Sequence, residues 1–186
     1  CKINKLKVLD YYGKKAEFLK IIRIIKKKKN IQTEFSLKNK KFNINFPCYS
    51  YYQVYNQICA FLLVFGKNLS QKKIIDNLKM SDPDGRLEKI YDKNNKKVFI
   101  DYAHTPDALK QVLSTLNNKS GKLVIVFGCG GDRDVKKRPL MSKEAVKHCD
   151  YIFITSDNPR TENPKKIFSD MTQGLREKDL KKIEII

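Results

Sequence analysis

Between Leu123 and Asp134 the chain reads Leu-Val-Ile-Val-Phe-Gly-Cys-Gly-Gly-Asp-Arg-Asp. An apolar, largely β-branched run bounded by a turn signal predicts a buried strand, and the lack of polar alternation predicts that both its faces are covered. Gly128, Gly130 and Gly131 permit backbone conformations closed to other residues and are expected to leave room for a ligand. Asp132, Arg133 and Asp134 then stand at the carboxyl end of the strand, which is where open α/β sheets bind ligands.

Two further segments repeat this design. Lys97-Val98-Phe99-Ile100 leads into Asp101-Tyr102-Ala103-His104, and Tyr151-Ile152-Phe153-Ile154-Thr155 leads into Asp157-Asn158-Pro159-Arg160. Each is followed by a helix start: Thr105-Pro106-Asp107 supplies a cap, a first-turn proline and an early acid, and Asn163-Pro164 repeats the pattern. Pro139 can open the helix in between. Alternating strands and helices predict an α/β fold with a parallel sheet and right-handed crossovers. Parallel strands share a carboxyl edge, so Asp101, His104, Asp132, Arg133, Asp157 and Arg160 are expected to converge on one crevice.

Upstream the pattern changes. Leu6–Tyr11 and Phe42–Phe46 alternate with period two, and Phe18–Ile25 is strand-like, so residues 1–47 predict antiparallel, half-exposed strands. From Tyr51 to Phe65, Val54, Ile58, Phe61, Leu62 and Phe65 fall on one helical face. Gly66 is expected to stop that helix and Ser70 to cap a second one running through Leu78. Ser81-Asp82-Pro83-Asp84-Gly85 is turn-rich and marks the expected boundary between a domain of residues 1–80 and one of residues 81–186.

The net charge of +19, from 39 Lys+Arg against 20 Asp+Glu, raises nucleic acid as a partner. The cations are mostly scattered lysines, Arg is scarce, and aromatics are not interleaved with them as in stacking modules. Solvated lysine faces are the favoured reading. The cysteines number 5, with no Cys-x-x-Cys pair, which fits reduced thiols in a cytoplasmic protein. His148 and Cys149 are adjacent and would point apart on a helix, so a structural role is favoured over a metal pair. The apolar run Ala60–Phe65 is well short of a membrane span, and no export signal is read. The chain opens on Cys1 and closes on the strand-like Ile183-Glu184-Ile185-Ile186, so a piece of a longer protein is expected.

The glycine loop is neither a dinucleotide fingerprint, whose last glycine would fall at Arg133, nor a Walker loop, since no Gly-Lys-Ser/Thr follows. Asp157-Asn158-Pro159-Arg160 sets an acid and a guanidinium three residues apart around a stiffening proline. In a strand-end crevice such a guanidinium matches a carboxylate in bidentate fashion and the acid matches an ammonium. With Arg133 opposite, the crevice suits a zwitterion with more than one carboxylate.

Five segments together resemble the Mur ligase family in order and spacing: Asp84-Gly-Arg-Leu-Glu88, Asp101-Tyr-Ala-His-Thr-Pro-Asp-Ala-Leu109, Val126-Phe-Gly-Cys-Gly-Gly-Asp-Arg-Asp134, Lys137-Arg-Pro-Leu-Met141 and Thr155-Ser-Asp-Asn-Pro-Arg-Thr-Glu162. The match is strongest to its tripeptide-forming branch. The resemblance implies a Rossmann-like C-terminal domain preceded by the strand and helical tail of a central ATPase domain. It implies an enzyme that uses ATP and magnesium to convert a carboxylate of UDP-N-acetylmuramoyl-L-alanyl-D-glutamate to an acyl phosphate, which the amine of meso-diaminopimelate attacks in peptidoglycan precursor synthesis. By the same resemblance Asn56 and Arg86 contact the nucleotide, Asp101 its ribose or phosphates and His104 the adenine side. Arg133, Asp157, Asn158, Pro159 and Arg160 hold the incoming diaminopimelate. Where the family has Gly-x-Phe-Asn-x-x-Asn this chain reads Ser50-Tyr-Tyr-Gln-Val-Tyr-Asn56. The phosphate loop and the magnesium ligands are expected before Cys1, so no catalytic residue or metal ligand is assigned here, and the piece alone is expected to be inactive. The full-length enzyme is expected to be a cytoplasmic monomer acting on small molecules, without nucleic acid or membrane. The alternatives are another Mur or folylpolyglutamate-type ligase and, from a different class, a basic nucleic-acid-binding module.

Overall fold

The structure is a computed structural model and describes residues 16, 18–27, 30–37, 40–65, 83–117 and 121–186. The chain divides into two compact units, Cys1–Glu88 and Lys89–Ile186. The expected strand at Leu6–Tyr11, the stop at Gly66, the helix from Ser70 to Leu78 and the start of the linker at Ser81-Asp82 lie outside the described residues.

In the first unit β1 (Leu19–Lys26), β2 (Ile31–Leu37) and β3 (Lys40–Phe46) form an antiparallel sheet in that order. Ile31, Thr33, Phe35 and Leu37 of β2 are buried while the residues between them are half-exposed, so the period-two pattern turns one face inward. Phe35 opposes Phe42 in the register, and their rings stack 5.7 Å apart. Helix α1 (Tyr51–Phe65) adds Val54, Ile58 and Leu62 to the same core as Leu19, Phe46 and Cys48. Gln53 begins that helix properly: its Oε1 accepts the N–H groups of Tyr49 and Ser50, both at 3.0 Å, the return half of a capping box.

Strands β4 (Arg86–Lys93) and β5 (Lys96–Asp101) form a separate two-stranded sheet. Asn94 and Asn95 join them with φ of 52° and 57°, the left-handed pair that a tight two-residue hairpin requires and that asparagine tolerates. This corrects the expected partnership of Lys97–Ile100, which pairs in the hairpin and not in the parallel sheet. The parallel sheet consists of β6 (Val124–Phe127), β7 (Tyr151–Ile154) and β8 (Ile183–Ile185), in that order. Helices α2 (Pro106–Leu116), α3 (Lys137–His148) and α4 (Pro164–Thr172) precede or connect these strands, and a short α5 (Glu177–Leu180) leads into β8. Thr105 caps α2 through the Ala108 N–H, and Asn163 caps α4 through the Lys165 N–H.

Ile152 and Ile154 pack with Leu109, Leu113, Met141, Ala145, Ile167 and Met171, with Ile125, Phe127 and Ile183 at the margin of that core. The alternate positions Val124, Val126 and Tyr151 are 49%, 60% and 48% exposed. The expected covering of both faces of this strand is therefore corrected: α2 packs on α3 and α3 on α4, so these three helices share one core, and the β6 residues pointing away from it meet solvent.

Candidate functional site

The glycine loop after β6 and the loop after β7 are packed backbone to backbone. A Cβ on Gly131 would lie 1.8 Å from the Pro159 carbonyl oxygen, and one on Gly128 would lie 2.4 Å from that of Thr155. No side chain fits at either position, so these glycines make room for the neighbouring loop. That corrects the expectation that their space is kept for a ligand. Hydrogen bonds stitch the same seam. Gly131 N–H donates to the Asn158 carbonyl at 2.9 Å, and Arg160 Nη1 donates to the Gly131 carbonyl at 2.6 Å. The Asp132 carboxylate accepts the Thr161 hydroxyl at 2.8 Å and the Thr161 N–H at 3.2 Å. Asp132 and Arg160, one on each loop, have φ of 50° and 51°, a left-handed conformation uncommon outside glycine.

Beneath the seam lies a side chain that the motifs do not single out. Arg138, in the first turn of α3, is completely buried. Its Nη1 donates to Glu162 Oε2 and to Asp170 Oδ2, both at 2.8 Å, and its Nη2 donates to Glu162 Oε1 at 2.7 Å and to the Gly130 carbonyl at 3.2 Å. Glu162 Oε1 also accepts the Asp132 N–H at 2.6 Å. One guanidinium thus ties together α3, α4 and both loops. The Arg138 fork and the Asp132 amide hold the Glu162 carboxyl down at about 2, because both favour its charged form. Donating to Glu162 in turn raises Arg138 above its ordinary value despite its burial. A sequence signal for this residue does exist. Arg138, Met141, Ser142 and Ala145 are all buried at the i, i+3, i+4, i+7 spacing of a core stripe, and a cation on such a stripe requires buried partners.

Of the candidate residues, Arg133, Asp157, Asn158 and Arg160 are exposed and Pro159 half-buried, all on these two loops. Among the described residues the Arg133 guanidinium has no hydrogen-bonding or ion-pairing partner, and Arg160 spends one N–H on Gly131. The pair therefore keeps free donors, and Asp157 supplies a carboxylate. Cys129, inside the glycine loop, is buried with its Sγ 3.8 Å from Met141 Sδ, and burial pushes its thiol up, which suits packing and not nucleophilic chemistry. Burial likewise pushes the Cys149 thiol up to about 12.

His104 does not follow a parallel strand; it follows the hairpin strand β5. Its main-chain carbonyl accepts Lys137 Nζ at 3.0 Å, so the segment after β5 is bound to the first turn of α3, one residue from Arg138. The exposed His104 ring meets Tyr102 edge-on at 5.3 Å, with Nδ1 3.1 Å from the Tyr102 carbonyl. Asp101 is half-buried at the end of β5. Asn56 and Arg86 belong to the first unit: Asn56 is exposed on α1, and the Arg86 carbonyl is fixed by Gln53 Nε2 at 2.9 Å. Among the described residues no cluster of three or more His, Cys, Asp or Glu side chains could hold a metal ion.

Residues 85–186 match the family model described as the Mur ligase, glutamate ligase domain. The UDP-N-acetylmuramoyl-L-alanyl-D-glutamate–2,6-diaminopimelate ligase of Rickettsia montanensis is 39% identical over 175 residues, covering 92% of this chain and 36% of its own length. The ligase of the same name from Aquifex aeolicus is 41% identical over 169 residues, covering 90% and 35%. A solved structure with that name superposes with a TM-score of 0.54 at 33% identity, over 94% of this chain and 36% of the other. UDP-N-acetylmuramate-alanine ligase from Thermotoga maritima superposes with a TM-score of 0.67 at 16% identity, over 94% of this chain and 38% of the other, a likeness of fold alone. The chain spans little more than a third of the length of these proteins.

Proposed function

The chain belongs to the Mur ligase family, and from that premise we propose that it is the C-terminal part of an ATP-dependent ligase. In this reading the whole enzyme joins meso-diaminopimelate to UDP-N-acetylmuramoyl-L-alanyl-D-glutamate during peptidoglycan precursor synthesis. The names of its relatives support the reading, and the loop pair after β6 and β7 supports it chemically. Diaminopimelate carries two ammonium and two carboxylate groups. The guanidinium groups of Arg133 and Arg160 supply paired donors for a carboxylate, while the Asp157 carboxylate attracts an ammonium. Lysine lacks the distal carboxylate, so it would leave an arginine unmatched. The observation that carries the reading is the bond from Arg160 Nη1 to the Gly131 carbonyl, which fixes the approach of an exposed guanidinium while its other donors remain unspent.

Residues 1–80 are assigned to the tail of the central ATP-binding domain and residues 81–186 to the C-terminal domain. ATP supplies, when bound, the phosphoryl group that activates the acceptor carboxylate. The exposed Tyr102–His104 ring pair suits a purine edge or face, and the Asn56 amide, Arg86 and Asp101 are the residues of this chain assigned to the nucleotide. In this reading the magnesium that accompanies ATP is held by residues of the full-length enzyme outside this chain. The full-length enzyme is taken to be a cytoplasmic monomer acting on small molecules; no helix among the described residues is long and apolar enough to cross a membrane.

The test is steady-state kinetics on the full-length ligase carrying Arg160→Ala. The KM for meso-diaminopimelate rises on the order of a hundredfold, as expected when a charge-assisted bidentate contact is lost, while the KM for ATP moves far less. Equal shifts for both substrates count against the assignment, and preferential incorporation of glutamate or lysine points to another ligase of the same fold.

A further inference from the structure

We propose that Arg138 and Glu162 are positioning residues for the incoming amino acid, setting the spacing between the substrate-facing groups of the two loops without touching substrate. The inference rests on the reading of those loops as the amino-acid site. Its basis is the direction of the bonds that Arg138 makes. A cation needs no burial to hold two helices together, since apolar side chains of similar volume serve as well or better. Here each half of the guanidinium fork is committed: both Nη groups clasp Glu162, one also reaches Asp170 on α4 and the other the Gly130 carbonyl. The next carbonyl along, that of Gly131, is held by Arg160.

A buried arginine and an exposed arginine thus grip adjacent carbonyls of one loop. Glu162 closes the circuit, because the oxygen that accepts Arg138 Nη2 also accepts the Asp132 N–H, and Asp132 in turn holds Thr161. Arg160 and Arg133 therefore sit on backbone whose relative placement is decided by one bidentate ion pair. A planar fork fixes that placement in a way that a single ammonium does not.

Glu162→Gln tests this. The amide keeps the volume and an acceptor for the Asp132 N–H, but it removes the charge that orients the fork. In the full-length ligase it raises the KM for meso-diaminopimelate roughly tenfold and erodes its preference over L-lysine, with a much smaller change in the KM for ATP. Arg138→Lys, a point charge in place of the fork, changes the same two quantities. In an Arg160→Ala background, Glu162→Gln adds a smaller increase than in the native chain, because one of the two guanidinium groups it places is gone. If Glu162→Gln and Arg138→Lys lower the melting temperature but leave the diaminopimelate KM and the lysine discrimination unchanged while Arg160→Ala raises that KM, the positioning role is overturned and the site assignment stands. If Arg160→Ala also leaves the KM unchanged, both are overturned.

Discussion

The two three-stranded sheets among the described residues are secured by different means. In β1–β3 the inward face is mostly apolar: Leu19, Ile31, Phe35, Leu37 and Phe46 share one core with Val54, Ile58 and Leu62 of α1, and on β2 the buried residues are the alternate ones. In β6–β8 the strands are short and share an apolar core with α2, α3 and α4, and the loops after β6 and β7 are in addition tied down by charge-assisted hydrogen bonds from Arg138. Apolar burial is non-directional and tolerates small shifts, whereas an ionic clasp specifies distances and angles. The lesson is that the β1–β3 sheet is held by the tolerant interaction alone among its core residues, whereas the loop pair carrying Arg133 and Arg160 adds the exacting one.

The sharpest test of that contrast is truncation at the centre of each. Arg138→Ala leaves Glu162 and Asp170 without their partner and costs about 3–5 kcal/mol, confined to the second unit. Phe35→Ala costs about 3–4 kcal/mol in the first unit by loss of apolar contact and a residual cavity. Hydrogen exchange read segment by segment checks both. Deprotection of β1–β3 by Arg138→Ala would break the contrast.

Next in size is Gly131→Ala. Its Cβ has no space beside Pro159, so the loops must part, at about 1–3 kcal/mol for overpacking of this kind. Faster exchange of the Gly131 and Asp132 amides is the expected signature, with β1–β3 unchanged.

The smallest effect is on acid sensitivity. Glu162 has its carboxyl lowered from 4.5 to about 2, so the stability it contributes is fully present above pH 4.5 and is lost as pH falls towards 2. A thermal scan across that window shows a steeper decline for the native chain than for Glu162→Gln, which has no carboxyl there to protonate. Parallel declines would mean that other carboxyl groups govern the acid limb. The apolar cluster beneath β1–β3 contains no carboxyl and is not expected to share this dependence.

Much of this architecture is readable from side-chain pattern. The α1 helix from Tyr51 to Phe65 follows from its apolar stripe, and β3 from the alternation of Phe42, Ile44 and Phe46. The strand at the end of the chain, Ile183–Ile185, and the caps Thr105 and Asn163 are legible for the same local reasons. What local pattern does not carry is partnership. Lys97–Ile100 is plainly a strand, yet Asn94-Asn95 folds it onto Arg86–Lys93, and the left-handed turn that does so is written in two ordinary-looking asparagines. The apolar run of β6 does not reveal which of its faces a helix will reach. The glycines announce a tight loop, but only the approach of Pro159 and Thr155 identifies what occupies the space they leave. Arg138 lies within Lys137-Arg-Pro-Leu-Met141, but its role is not legible there because its partners Glu162 and Asp170 are 24 and 32 residues away.

Arg160 holds a backbone angle that glycine would adopt without protest, and for an ordinary side chain the left-handed conformation is disfavoured by roughly 1–2 kcal/mol. An Arg160→Gly exchange would thus relax the turn at the same moment that it silenced the side chain. The same exchange would also cut the Arg160 bond to the Gly131 carbonyl, so the relief of the turn is set against a loosened seam. The awkward backbone angle is thus kept by the very side chain it serves to aim.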